Sequence, residues 1–342
     1  MKAALLERVG RMAMVDVERP VIAQPDEILI RTKTVGVCGS EIHAFHGTHP
    51  YRKAPVILGH EAAGEVFAVG KAVKKFQVGD RVIVDPQWTC GKCAYCLRGD
   101  INVCPSKRVL GTANWQGAFG EYFVAPEEAV FHLPSNLSYA QGSLIEPLTV
   151  GVHVARRANL QAGESVAILG AGAIGGLLSG VCHTQGAQTV IAADIKQHCL
   201  DAARERLGAT HDFLLPDVQV AEKIKRVSDG GVDVVFITAD DGSLVNLGIE
   251  IAKRRGRIVL VALLTEAPLQ FVAYPIISKE LQIVGSLMSS PADVEKAIDL
   301  AASNQVDVEA IATHRLPIEQ AQRGMELALT KDDQAIKVIL GF

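Results

Sequence analysis

The sequence predicts an α/β protein of two domains, a β-rich first part followed by a doubly wound parallel sheet. Three observations carry this: a length of 342 residues, a change of texture near Gly163, and a Gly-x-Gly-x-x-Gly turn between an apolar run and a helical stretch. At roughly 150 residues per domain, the length calls for two cores. The expected boundaries are 1–150 for the first domain, rejoined by 286–342, and 151–285 for the second.

From Met1 onward, Gly and Pro punctuate short β-patterned runs. Residues 27–34 alternate apolar and polar at period two, and 81–84 form an apolar run after the turn-forming Gly79-Asp80. After Gly163, apolar runs at 165–169, 189–193, 232–238 and 257–263 alternate with helical stretches, the pattern of βαβ units on a parallel sheet covered on both faces. A further strand is expected at 281–285, then a helix over 291–304 and a closing strand over 335–340.

Composition excludes several classes. Hydrophobic residues make up 49% and charged residues 21%, with 31 glycines, which fits a globular chain and no disordered or fibrous one. The formal net charge is -4, and Lys and Arg are scattered apart from pairs such as Arg156-Arg157 and Arg254-Arg255, so nucleic acid is not an expected partner. Glu7 and Arg8 break the apolar run at the start, which lacks the pattern of a secretory signal. Residues 165–182 carry no charge, but five glycines fall among them, and no membrane segment is expected. Seven cysteines, four of them within fifteen residues, point to metal binding rather than disulfides and to a reducing cytoplasm.

The turn Gly170-Ala171-Gly172-Ala173-Ile174-Gly175 carries the cofactor reading. Gly170 permits the tight turn, Gly172 lets the backbone approach a pyrophosphate, and Gly175 allows close helix-to-strand packing, while the helix N-terminus offers free N–H groups. Asp194 ends the next strand 19 residues beyond Gly175, where a carboxylate accepts from ribose hydroxyls and repels a 2'-phosphate. That favours NAD over NADP, with Lys196 as the residue that could soften the choice. Ala262 is a further cofactor-binding candidate.

Cys90, Cys93, Cys96 and Cys104 supply four thiolates, enough to close a tetrahedral shell around a structural zinc. A redox Cys-x-x-Cys pair would leave two of the four unexplained. Cys38, His60, Glu61 and Glu146 are dispersed, and spacing alone does not join them. Together they offer the donors of a catalytic zinc with one open position. Taken singly, Cys38 fits a small core residue, His60 a satisfied loop histidine, and the two glutamates surface acids. Cys182 and Cys199 read as core residues of the second domain.

The order Gly36-x-Cys38-Gly-Ser-x-x-His43, Gly59-His-Glu61, the four-cysteine lobe, Glu146-Pro and Gly170-x-Gly-x-x-Gly175 resembles the zinc-containing medium-chain dehydrogenases, nearest the polyol (sorbitol) and threonine branch. The resemblance spans nearly the whole chain. It implies a GroES-like β-barrel catalytic domain holding both zinc sites and a Rossmann domain binding NAD. It also implies Cys38, His60 and Glu61 as catalytic-zinc ligands, Glu146 as a nearby acid that ligates the zinc or holds its water, and Ser40 and His43 as a proton relay. The implied reaction moves hydride between a secondary alcohol, whether polyol, cyclitol or sugar-derived hydroxyl, and NAD. Threonine-like or simple secondary alcohols are the alternatives within the class, and a non-enzymatic zinc- and NAD-binding module the alternative outside it. A homo-oligomer, dimer or tetramer, is implied as well.

The chain departs from the polyol pattern after 281–285, where an Arg-Tyr pair is replaced by Met288-Ser289. Phe45, Trp115 and Phe119 read either as the wall of a partly apolar substrate pocket or as core.

Overall fold

A computed structural model describes residues 1–264 and 268–342. Two compact units emerge: Met1–Glu146 with Ser290–Ala302 and Ala312–Phe342, and Pro147–Ser289 with Ser303–Ile311.

In the first unit a seven-stranded sheet runs in the order Val130–His132, Arg81–Val84, Glu61–Val69, Glu27–Gly36, Lys337–Gly341, Ala312–Pro317, with Tyr122–Pro126 also pairing Glu27–Gly36. A three-stranded sheet joins Arg11–Asp16, Lys2–Arg8 and Val56–Ile57. The core between them includes Leu6, Ile28, Ile30, Leu58, Phe119 and Leu340, all fully buried. Each such side chain contributes about 1.5–3 kcal/mol by leaving water.

The period-two reading of 27–34 found the strand but not its surroundings. Glu27–Gly36 pairs with Glu61–Val69, Tyr122–Pro126 and Lys337–Gly341, and of its polar positions Glu27 and Thr32 are buried while Arg31, Lys33 and Thr34 are half-buried. Glu27 itself is 5% exposed, and its carboxylate accepts from the N–H groups of Ala23 at 2.6 Å and Gln24 at 2.9 Å.

The second unit is built on a six-stranded parallel sheet in the order His211–Leu214, Thr189–Asp194, Ser165–Leu169, Val232–Ile237, Ala252–Leu260, Gln282–Gly285. Chain order reverses direction at Ser165–Leu169, which opens a crevice at the carboxyl ends of that strand and Val232–Ile237. Strand His211–Leu214 has no counterpart among the expected apolar runs: it lies at the sheet edge, and His and Asp break its hydrophobicity. Ala252–Leu260 starts five residues before the expected strand at 257. Its register slips between Val232 and Val234 of the neighbour, and Arg255 at φ 62 sits within the irregularity.

The uncharged run resolves into strand Ser165–Leu169 and helix Ala173–Thr184, and among the described residues no helix is long and apolar enough to cross a membrane. The glycines of that helix have a packing role. A Cβ at Gly176 would lie 3.5 Å from Ile311, and one at Gly180 would lie 3.0 Å from Val306. This small-residue face explains why 303–311 joins the second unit, where the sequence reading had assigned all of 286–342 to the first. Cys182 and Cys199 are fully buried, as core residues should be, and burial pushes the Cys182 thiol up.

Candidate active site and metal centres

The four-cysteine lobe closes on itself. Cys93 caps the short helix Ala94–Leu97, its sulfur accepting from the Cys96 N–H at 3.5 Å, and that turn brings Cys93 and Cys96 together. The sulfurs of Cys93 and Cys96 are 3.5 Å apart, those of Cys90 and Cys104 3.6 Å, and those of Cys90 and Cys96 3.9 Å. A tetrahedral zinc with bonds of about 2.3 Å needs sulfurs roughly 3.8 Å apart, so the donor set fits that ion. None of the four is in a disulfide. Backbone N–H groups of Lys92 and Cys93 lower the Cys90 thiol to about 6, whereas burial and the neighbouring Cys93 and Cys104 sulfurs raise that of Cys96 to about 11.

The dispersed residues also converge. Cys38 and His60 group with Glu41, and His60, Glu61 and Glu146 form an overlapping group, the donor atoms within each lying inside 4.8 Å of one another. His60 belongs to both. Cys38 and Glu61 end up near each other because they flank strands Glu27–Gly36 and Glu61–Val69, where Gly36 stands opposite Glu61.

Glu41 is the residue sequence reasoning missed. Fully buried, it accepts from His60 Nδ1 at 2.5 Å, from the Gly59 N–H at 3.1 Å and from the Cys38 N–H at 2.7 Å. Burial pushes its carboxyl up, but the His60 charge and hydrogen bond, with Arg52 and the Cys38 N–H, overcome this and hold it near 2. The pairing fixes the imidazole with Nδ1 engaged and Nε2 left for a metal, the arrangement seen where a carboxylate orients a ligating histidine. A capping-box pattern, Cys38 at the N-cap and Glu41 at the third position of helix Gly39–His46, was the readable signal.

The glutamates differ. Lys337 donates to both oxygens of Glu61, at 2.6 and 2.8 Å, and to the Val37 carbonyl at 3.0 Å. Glu146 is half-buried beside the same imidazole. Burial raises its carboxyl to about 7, the Glu61 charge adding to the push against the pull of His60 and Lys337. Ser40 Oγ accepts from Arg52 at 2.6 Å, and His43 Nδ1 faces Thr48 Oγ1 at 3.1 Å.

In the second unit, Gly170 takes φ 108, and a Cβ at Gly175 would fall 1.8 Å from the Gly170 carbonyl oxygen, so neither position admits a side chain. Gly172 caps helix Ala173–Thr184, which starts with Ala173 and Ile174. Asp194 accepts from the N–H of Ala171 at 2.6 Å and of Lys196 at 2.9 Å, tying the end of its strand to the glycine turn. A cavity of about 740 Å³ is lined by Gly170, Asp194, Ile195, Pro216 and Val218 among others. Ala262 follows the end of Ala252–Leu260, its N–H donating to the Ile237 carbonyl at 3.1 Å.

The aromatic candidates are core rather than pocket wall: Phe119 is fully buried, Phe45 is 5% and Trp115 6% exposed, and all three belong to the hydrophobic core of the first unit. Met288 adopts φ 53, and Ser289 is buried.

Residues 24–135 match the family described as alcohol dehydrogenase GroES-like domain, and residues 173–303 the one described as zinc-binding dehydrogenase. A sorbitol dehydrogenase of Bacillus subtilis (strain 168) is 36% identical over 345 residues, covering 99% of this chain and 97% of its own length. The chain belongs to the zinc-binding alcohol dehydrogenase family. Two solved structures are similar to it over the length of the chain. A zinc-binding dehydrogenase of Sinorhizobium meliloti 1021 bound to NADP has a TM-score of 0.92 at 30% identity, covering 100% of this chain and 99% of that one. An alcohol dehydrogenase of Escherichia coli CFT073 complexed with NADH has a TM-score of 0.92 at 28% identity, with the same coverage. The first unit is thus the GroES-like domain, and the parallel sheet the Rossmann domain.

Proposed function

We propose that this chain oxidises a polyol or related secondary alcohol with NAD, using a catalytic zinc at Cys38, His60 and an adjacent carboxylate and a structural zinc at the four-cysteine lobe. The observation that carries the reading is the convergence of Cys38, His60, Glu61 and Glu146 around one imidazole, in a chain that also has a dinucleotide crevice. The sorbitol dehydrogenase relative supports a polyol as substrate.

The catalytic zinc would be held by Cys38 Sγ, His60 Nε2 and Glu146, since Glu61 is gripped at both oxygens by Lys337. Bound there, zinc supplies Lewis acidity that lowers the pKa of an alcohol hydroxyl toward neutrality. Glu41 keeps the imidazole in the ligating tautomer. Ser40, whose oxygen already accepts from Arg52, has its own hydrogen available to orient a substrate hydroxyl and to pass on its proton. His43, steadied by Thr48, exchanges that proton with solvent, the task its side chain suits near neutral pH.

NAD rather than NADP is proposed on Asp194, whose carboxylate ends the second strand of the crevice. Asp194→Ala is expected to shift the NAD-to-NADP ratio of kcat/KM toward NADP by about 10- to 100-fold, the worth of a charge-assisted hydrogen bond. An unchanged ratio would remove Asp194 from cofactor choice. At the lobe, Cys96→Ser should halve the zinc content measured by atomic absorption and lower the thermal midpoint, because structural zinc binding is folding free energy. Two zincs per chain in that variant would contradict the four-thiolate shell.

The experiment that tests the reaction is a screen of polyols, polyol phosphates, cyclitols, hydroxy acids and simple secondary alcohols for NADH absorbance with zinc-loaded protein. Turnover with any of them supports it. Silence from protein carrying two zincs per chain counts against it.

A further inference from the structure

We propose that Arg52 forms an anion subsite beside the reacting hydroxyl, so that the alcohol this chain oxidises carries a carboxylate or phosphate close to its carbinol carbon. The inference rests on the dehydrogenase reading above and narrows its substrate class.

Arg52 is only 3% exposed; its charge helps hold the Glu41 carboxyl low, but among the described residues no carboxylate accepts a hydrogen bond from it. Its guanidinium presents five N–H bonds in a rigid fork. One Nε–H goes to the Gly111 carbonyl at 3.3 Å, one Nη1–H to Ser40 Oγ at 2.6 Å and one Nη2–H to the Leu110 carbonyl at 3.1 Å. Nη2 also faces His60 Nδ1 at 3.4 Å, but that nitrogen carries the hydrogen it gives to Glu41 at 2.5 Å and has no lone pair to offer. Among the described residues, two N–H bonds of this buried cation therefore find no acceptor.

The nearby acid offsets the charge through space but supplies no acceptor. Glu41 spends one oxygen on His60 and Gly59 and the other on Cys38. His49, whose Nδ1 accepts from the Arg52 N–H at 3.0 Å, adds no negative charge; burial, then the Arg52 charge, lowers its ring to about 4 and leaves it neutral. Leaving buried donor hydrogens without acceptors costs free energy, more so on a charged group. A neutral polyol could meet them only with hydroxyl oxygens, which accept more weakly than an anionic oxygen does. An anionic oxygen would take up the two remaining N–H bonds as charge-assisted hydrogen bonds, and the Ser40 contact places that oxygen next to the hydroxyl being oxidised.

Calorimetric titration of the zinc-loaded, NADH-saturated protein with acetate, acetamide and inorganic phosphate tests the subsite without turnover, so its failure and that of the dehydrogenase reading are separately visible. Acetate or phosphate is expected to bind about 10- to 100-fold tighter than acetamide, with Arg52→Gln abolishing the difference and Arg52→Lys keeping part of it. Tighter phosphate assigns a phosphorylated alcohol, tighter acetate a hydroxy acid. Equal binding of acetate, phosphate and acetamide by the unmodified protein overturns the proposal whether or not the variants fold. An anion preference that survives in both variants overturns it too, since the anion would then sit on the metal alone.

Discussion

Cys38→Ser is expected to lower kcat by about three orders of magnitude or more, while the dissociation constant for NADH, measured by fluorescence, stays within about twofold. The asymmetry follows from where the parts are built. Cys38 ends the loop between strand Glu27–Gly36 and helix Gly39–His46 in the first unit, whereas Gly170, Gly175 and Asp194 belong to the second. A serine oxygen is a poor substitute for a thiolate toward zinc, so the variant should also carry about one zinc per chain instead of two. The local fold should survive. The N-cap is kept by a residue type that favours that position, and the Glu41 carboxylate still accepts from the backbone N–H at 38. Turnover near the original rate would remove Cys38 from the reaction.

Lys337→Met is expected to be the most destabilising single change at the site, by about 3–5 kcal/mol, because it strands the Glu61 carboxylate in the interior. Glu61 is fully buried and Lys337 is 3% exposed, with both carboxylate oxygens committed to the ammonium. The thermal midpoint should fall by on the order of 10 °C. The double variant Lys337→Met with Glu61→Gln should recover much of this, since a neutral amide costs far less to bury than an unpaired charge. If the single and double variants melt together, the ion pair does not govern stability there.

Much of the second unit was legible because its strands announce themselves locally. Ser165–Leu169 is five apolar or small residues followed at once by the glycine turn, and a buried parallel strand needs nothing more distant to define it. His211–Leu214 was not legible, since an edge strand with one covered side can carry His and Asp. The beginning of Ala252–Leu260 was masked by Lys253, Arg254 and Arg255, charged residues that a bulged strand tolerates. The candidate metal donors could be picked by residue type, Cys and His above all. Their partners could not. Arg52 meets Ser40 across a sequence separation of 12 residues and Leu110 across 58, and Lys337 meets Glu61 across 276, so no local pattern marks either cation as part of the site. Phe45, Trp115 and Phe119 show another case, in which residue type left pocket wall and core both open and packing decided for core.

The strand Lys337–Gly341 lies inside the main sheet of the first unit, antiparallel to Glu27–Gly36 on one side and parallel to Ala312–Pro317 on the other. During synthesis this has a temporal meaning. Thr34, Val35 and Gly36 leave the ribosome with one edge unpaired and wait some 300 residues for Gly341, Leu340 and Ile339, while the contiguous stretch Pro147–Ser289 can collapse in the meantime. The ammonium that neutralises Glu61 arrives on the same late strand. A nascent chain stalled before Lys337 would hold every strand of the parallel sheet while the sheet that carries Cys38 and Glu61 still lacks its late strand.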